Sequence, residues 1–447
     1  MTGRPLCPGD AGYDEASAVW NARFESRPEE IVRAEAAEDV SRALRRAVER
    51  DLDVTVKGGG HDYAGNSACR GGLLIDLSPL DAVVVDAERR RVTVGAGARW
   101  GDVDAATQAH GLATPGGTVS TVGVAGFTLG GGQGWLARKH GLACDNLLAA
   151  EMVTASGETV RASETENPDL FWALRGGGGN FGVVTSFELA LHELEHDVLA
   201  GQVVYPFDRA GELLRFYRDV FEDAPDEMAC FPFIYRVPPL DVFPASVHGD
   251  IVLAFVVAWM GPAAEGESRL APFRERGDPI LDGVFPQSYL DLQRSFDEQM
   301  APGSRWYTRA HELSRLTDDA IDAILEAVPP LPGDFTSVYL GPMDGAVGRV
   351  GPEETAYPHR DSAHGIHIFP GWIDPDRDDE IMDWARRVSN HVAPHADEGV
   401  YVNLLGEDEG PRVRAAYGPN YERLGRIKAA WDPDNLFRAN HNVPPRA

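Results

Sequence analysis

The stretch TVKGGGHDYAGNS, Thr55 to Ser67, sets a histidine directly behind three glycines and follows it with Asp-Tyr-Ala-Gly. Glycine tolerates positive φ and lets backbone N–H groups approach a ligand closely. His61 is therefore carried on a backbone hinge, with Lys57, Gly58, Gly59 and Gly60 before it and Asp62, Tyr63 and Gly65 after it. Outward from this point lie two more glycine-rich segments, GGTVSTVGVAGFTLGGGQG (Gly116–Gly134) and GGGGNFGVV (Gly176–Val184). Each alone is explained by tight turns and bulges. The three together point to a phosphate-bearing cofactor cradled by main-chain amides.

Two common nucleotide sites fail on spacing. A P-loop requires Gly-Lys-Ser/Thr, which the chain lacks. A dinucleotide fingerprint requires Gly at relative positions 0, 2 and 5, but Gly95 and Gly97 are followed by Trp100, and Gly130 and Gly132 by Trp135.

Bulk properties bound the rest. With 447 residues, 43% apolar and 25% charged, the chain is long enough for two or three domains with a ligand between them. A net charge of -29, spread along the chain, repels polyphosphate backbones, so no nucleic-acid partner is expected. The longest apolar run, Ile251–Met260, suits a buried strand and is too short to cross a bilayer, so no membrane partner is expected either. No apolar run follows the early arginine that would mark a secretory signal, and Cys7, Cys69, Cys144 and Cys230 lack metal-ligand spacing. Reduced thiols in a cytoplasm are the expectation.

Along the chain, Val40, Ala43, Leu44, Ala47 and Val48 recur at helical spacing just before the alternating Asp53–Lys57. Val83–Val94 reads as a strand pair, Arg99–Gly111 as a helix closed by glycine, and Asn167–Gly179 as a short helix with Asn167 as its cap and Pro168 at its first position. Phe181–Leu191 and His364–Phe369 alternate as strands, and Tyr421, Leu424, Ile427 and Trp431 mark a docking helix that stops at Pro433. Glycine richness ends near Glu195, where a domain boundary is expected.

Taken in combination, KGGGHDYAG, GTVSTVGVAGFTLGGGQG, HGLACDNL, GGGGNFGVV and the late YVN and DPDNLF resemble the berberine-bridge-enzyme-like FAD-linked oxidases of the vanillyl-alcohol-oxidase superfamily, over essentially the whole chain. The resemblance implies an α+β fold. A PCMH-type FAD-binding domain of two subdomains (1–197) precedes a substrate domain with an antiparallel sheet covered by helices (198–400), and 401–447 returns to the FAD-binding domain. It implies that His61 bonds through its imidazole to the flavin 8α carbon. Relatives often add a cysteinyl link, but in Gly117-Thr118-Val119-Ser120-Thr121-Val122-Gly123 the cysteine's place is held by Val119, so one covalent bond is expected. Val122 occupies the implied oxygen gate, where a small side chain accompanies molecular oxygen as acceptor and hydrogen peroxide as product.

The same resemblance places Gly123, Gly126, Phe127, Thr128, Gly130, Gly131, Gly132 and Gly134 along the cofactor, with His140, Gly141, Asp145 and Asn146 beside it. Gly179, Asn180, Gly182, Val183 and Val184 are expected at the adenosine end, and Asn403, Asn440 and Asn442 near the cofactor from the C-terminal segment. His367 stands where relatives carry a substrate-side glutamine, and Tyr401 is the candidate base. A phenol of pKa about 10 needs a lowered value to act so. Leu404, Leu405 and Gly406 depart from the family's continuation after Asn403, and Glu407 and Glu409 read as a solvated acidic loop. The expected activity is oxidation of an alcohol, amine or activated C–H of a small molecule. The alternatives are a dehydrogenase or oxidative cyclase using another acceptor, and a flavin-binding protein without chemistry. The substrate and oligomeric state are not readable.

Overall fold

The computed structural model describes residues 4–446. In the first half, the helix Ala37–Arg50 buries Val40, Ala43, Leu44 and Ala47, and its period-3.6 apolar stripe packs on a parallel sheet ordered Glu30–Arg33, Leu73–Asp76, Val54–Lys57. The predicted hairpin forms Val83–Asp86 and Arg91–Gly95. It joins Val183–Ala190, Leu147–Val153 and Thr159–Ser163 in a five-stranded antiparallel sheet. One apolar core serves both sheets.

From Val198 the chain builds a second antiparallel sheet, ordered Leu281–Asp282, Val198–Pro206, Ile251–Trp259, Met228–Arg236, Ser337–Pro342, His364–Phe369, Arg309–Leu313, with Phe285–Gln287 paired beside Val198–Ala200. Alternation divides each strand between two faces. Leu253, Phe255, Val257, Ile366 and Ile368 pack under the helices Ala210–Phe221, Asp318–Ala327 and Asp378–Val392. Ala229, Phe231, Val256 and Ala258 pack the other way, on Trp135 and Leu136 of the first half. Both faces of Ile251–Trp259 are thus covered, which is why its sequence is apolar without interruption.

The helix Tyr421–Trp431 returns to the first core through Tyr421, Leu424 and Ile427. Burying each such side chain contributes about 1.5–3 kcal/mol. Two local expectations are corrected. Asn167 does not cap the helix Pro168–Leu174: it sits at φ 49 and its amide donates to the Arg161 carbonyl at 2.7 Å. Of the expected solvated acidic loop after Asn403, Glu407 is exposed and pairs with Arg23 at 2.5 Å, but Glu409 is buried between Arg412 at 2.6 Å and Arg309 at 3.3 Å. Among the described residues no helix is long and apolar enough to cross a membrane, and the four cysteines are free.

Candidate active site

His61 anchors one end of the site. Its ring stacks on Trp20, with 4.1 Å between centroids and 19° between planes, and its Nε2 lies 3.0 Å from the Thr121 hydroxyl. Burial, reinforced by the positive charge of Arg99, lowers the imidazole pKa to about 3. The ring is therefore neutral near pH 7, with one ring nitrogen unprotonated. Gly59 and Gly123 fix its position: a Cβ on Gly59 would stand 2.5 Å from the Gly123 Cα, so the two glycine segments cross with their backbones in contact and bring Thr121 to His61.

Tyr401 stands at the other end. Its oxygen accepts from the Gly132 N–H at 2.8 Å and the Asn403 amide at 2.9 Å, and that amide also donates to the Phe127 carbonyl at 3.1 Å. Gly132 has φ 94, a conformation that glycine adopts without strain, and this turns its N–H toward the phenol. Burial pushes Tyr401 up to about 12, against the pull of these donors. No neighbouring cation lowers it.

A chain of contacts runs from one end toward the other across the inner face of the large sheet. Trp20 meets Tyr63 at 5.3 Å, Tyr63 meets Phe369 at 4.9 Å, Phe369 meets Tyr339 at 5.5 Å, and Tyr339 meets His367 at 4.5 Å. His367 and Gln133 flank Gly341, where a Cβ would come within 3.2 Å of one and 2.9 Å of the other. Gln133 adjoins Gly132, the donor to Tyr401. Tyr63 and Tyr339 retain accessible surface although burial raises both phenols above the usual range, so they line an internal space. His367 is opposite Tyr339 and Ala310 in register. Its Nδ1 is buried without a partner, and burial lowers its pKa to about 3.

Other expected residues have structural bonds. Lys57 donates to the carbonyls of Ala16 and Ala18 and lies 3.6 Å from Asp76, so its ammonium is committed to the N-terminal segment. Asp62 closes its own loop through the N–H groups of Ala64 and Ser67. His140 stacks on His192 at 3.8 Å, and Asn146 bonds His192 at 2.6 Å and the His140 carbonyl at 2.9 Å. Asp145 forms a buried, two-bond ion pair with Arg360 at 2.7 and 2.8 Å. The Asn180 carboxamide receives the Val443 N–H at 2.9 Å and stitches the C-terminal segment to the Gly177 carbonyl at 2.9 Å. Gly134 lets the Gly116 carbonyl pass, and Gly182 leaves room for Met152. Val119 is buried, and Val122 lies between Gly59 and Gly117. Trp20 and Tyr339 were not anticipated, since a tryptophan in an irregular segment and a tyrosine in an ordinary strand carry no motif.

Two sequence families match: one described as "FAD binding domain" over residues 28–163, and "Berberine and berberine like" over 400–444. An FAD-linked oxidoreductase of Dictyostelium discoideum is 31% identical over 431 residues, covering 95% of this chain and 91% of that protein. (R)-6-hydroxynicotine oxidase of Paenarthrobacter nicotinovorans is 30% identical over 467 residues, covering 100% and 97%. The crystal structure of 6-hydroxy-D-nicotine oxidase from Arthrobacter nicotinovorans superimposes with a TM-score of 0.89 at 28% identity, over 100% of this chain and 98% of that one. A chitooligosaccharide oxidase shares the fold with a TM-score of 0.87 at 21% identity.

Proposed function

The chain belongs to the berberine-like family of FAD-linked oxidoreductases, and from that premise we propose that it is an oxidase of a small organic molecule, with FAD held by one covalent bond to His61 and molecular oxygen as acceptor. The observation that carries the reading is the chain of aromatic contacts that runs from the neutral His61 toward Tyr401.

The donor set suits FAD. Gly126 and Gly179 have nothing within 4 Å of the place a side chain would occupy, which leaves their backbones open to a diphosphate or ribose. The Thr128 hydroxyl and the carboxamide oxygens of Asn440 and Asn442 are buried without partners, a costly state for polar atoms that a bound ligand relieves. Residues 1–197 would hold the cofactor, 198–400 the substrate, and 401–447 would close over the cofactor. Val119 in place of cysteine, with Cys144 buried and its thiol pushed well up by burial, supports a single link.

FAD supplies a two-electron acceptor for the substrate's hydride. The protein's own part is positioning and proton handling. Two N–H donors aimed at the Tyr401 oxygen favour negative charge there, but burial outweighs them and holds the phenol at about 12, so Tyr401 would take the substrate's proton only from its minor deprotonated form. His367 and Tyr339 hold the substrate from the opposite sheet. The small side chain of Val122 leaves room for oxygen. The test is a denaturing gel viewed for flavin fluorescence, with His61→Ala beside the parent, and oxygen uptake on turnover. A fluorescent band in the parent alone is the expected result; fluorescence retained in the variant would move the attachment elsewhere.

A further inference from the structure

The backbone crossing at Gly59 and Gly123 places His61, but its ring belongs to no helix or strand and is oriented by two neighbours. Trp20 stacks on its face and the Thr121 hydroxyl meets its Nε2. Both neighbours lie in irregular segments themselves. Each is tied from the second half of the molecule by one stretch of chain, Tyr289 to Met300. The Trp20 indole N–H donates to the Met300 carbonyl at 2.7 Å. Beside Thr121, Ser120 donates its N–H to Asp297 at 2.8 Å and its hydroxyl to the other oxygen of the same carboxylate. Gln293 donates to the Gly117 carbonyl at 3.0 Å, at the start of that loop, and to the buried Asp104 at 2.8 Å.

Gln293, Asp297 and Met300 recur at helical spacing, so they share one side of a chain that runs from the helix Tyr289–Gln293 into successive turns. In those turns the Asp297 N–H reaches the Arg294 carbonyl at 3.1 Å and the Met300 N–H reaches the Phe296 carbonyl at 3.0 Å. The neighbouring side is anchored on the large sheet: Tyr289 and Leu292 pack with Ala229, Phe231 and Val256, and Phe296 meets Phe233 at 5.9 Å. The chain around Trp20 is bound by the same half. Asn21 exchanges bonds with the Trp306 N–H and carbonyl at 3.0 and 2.9 Å, and the Ala22 N–H reaches the Ser304 carbonyl at 3.0 Å. Lifting the second half away would therefore release both partners of the imidazole.

We infer that Gln293, Asp297 and the Met300 carbonyl are positioning groups for flavin attachment: docked from the second half, they fix Trp20 and Thr121 and so hold the imidazole still for its bond to the flavin. The inference rests on the FAD reading above. In that attachment a C–N bond forms while an imidazole N–H and one C–H of the 8-methyl group break. The two electrons and two protons released pass to molecular oxygen, the acceptor already proposed, as hydrogen peroxide. Fixing the ring speeds this step and leaves the amount of FAD bound unchanged. The experiment takes the full chain produced under riboflavin limitation, adds FAD in air, and follows two quantities over time. One is flavin fluorescence that stays on the chain in a denaturing gel; the other is flavin absorption of the folded protein. Asp297→Ala removes both bonds to Ser120 and should attach flavin about tenfold more slowly while binding as much of it as the parent. Asp297→Asn still offers an acceptor to the Ser120 N–H, and should return the rate to within about threefold of the parent's. Trp20→Phe keeps an aromatic ring for the stack, loses the bond to Met300, and should be about threefold slower. Glu298→Ala, an exposed position in the same stretch, should match the parent. Attachment at the parent's rate in Asp297→Ala, or in Trp20→Phe where the former does not fold, overturns the positioning role. So does a fall in bound flavin that matches the fall in attachment, which marks a merely structural role. A parent that binds FAD but keeps none through denaturation overturns the covalent reading instead, and a parent that binds none overturns FAD itself.

Discussion

At Tyr401, two opposing influences set one oxygen's behaviour. Burial disfavours the phenolate, while the Gly132 N–H and the Asn403 amide favour it, and the balance leaves the pKa at about 12. A base with that value is mostly protonated at neutral pH, so kcat/KM should rise with pH by up to about tenfold per unit across the range in which the protein stays folded. Tyr401→Phe should be slower by about 10²–10⁴-fold and lose the slope. A slope that persists in the variant would assign the proton to another group. Glu312 offers a second residue-scale test through stability. Its folded pKa of about 8 exceeds its ordinary value of 4.5, so the native state binds the extra proton between those values. Its contribution is therefore fully present below about pH 4.5 and is lost as pH rises through 8. Glu312→Gln should raise Tm at pH 8.5 by about 3 °C or more and change it little at pH 5, measured by thermal melts at both.

At the scale of elements, helices and strands were readable wherever an amphipathic period had to meet a core. Val40, Ala43, Leu44 and Ala47 announced their helix, and His364–Phe369 announced which residues share the face of His367. Pairing partners were not readable, because Tyr339 meets His367 only through register and Trp20 meets His61 only through the path of an irregular segment. The same limit applied to charge: Glu409 is acidic in sequence but is neutralised by Arg309 and Arg412, the first of them about 100 positions away. Gly59, Gly123 and Gly134 also answer to chain crossings, which the glycine clusters alone do not reveal. In the C-terminal helix, Lys428 is completely buried and donates to Asp432 at 2.6 Å and to the carbonyls of Asn180 at 2.6 Å and Phe437 at 2.9 Å. Asp432 in turn accepts from the N–H groups of Leu436 and Phe437. Lys428→Met leaves a buried carboxylate without its cation and the Asn180 carbonyl without a donor, while the Phe437 carbonyl keeps the Asn440 amide at 3.2 Å, at a cost of about 3–5 kcal/mol. Tm should fall by about 3–5 °C; a change under about 1 °C would show that water replaces the ammonium.

Across the whole molecule, the site is complete only when the two halves meet, since His61 and Gly132 come from one and Tyr339, His367 and Phe369 from the other. Many bonds hold that junction, among them Trp20 to the Met300 carbonyl, Ser120 to Asp297 and Gln293 to Asp104, and two buried arginines stand among them. Arg138 reaches from the first half to Asp344 at 2.6 Å and to the carbonyls of Pro225 and Met228 at 2.8 and 2.6 Å. Arg360 reaches the opposite way, to Asp145, and also holds the Thr355 hydroxyl at 2.7 Å. With side-chain exposures of 1% and 9%, the Arg360–Asp145 pair is sheltered from solvent, so removing the guanidinium strands a buried carboxylate. Arg360→Met should therefore loosen the junction before either core melts. Visible circular dichroism of the flavin would then change at a lower temperature than tryptophan fluorescence, whereas the parent should show the two transitions together. Arg89→Met is the control: its partner Asp86 lies on the surface, where such a pair contributes within about 1 kcal/mol, and both transitions should stay with the parent's. If the two signals remain coincident in Arg360→Met, the halves unfold as one unit and the junction is held by the apolar contacts of Trp135 and Leu136 instead.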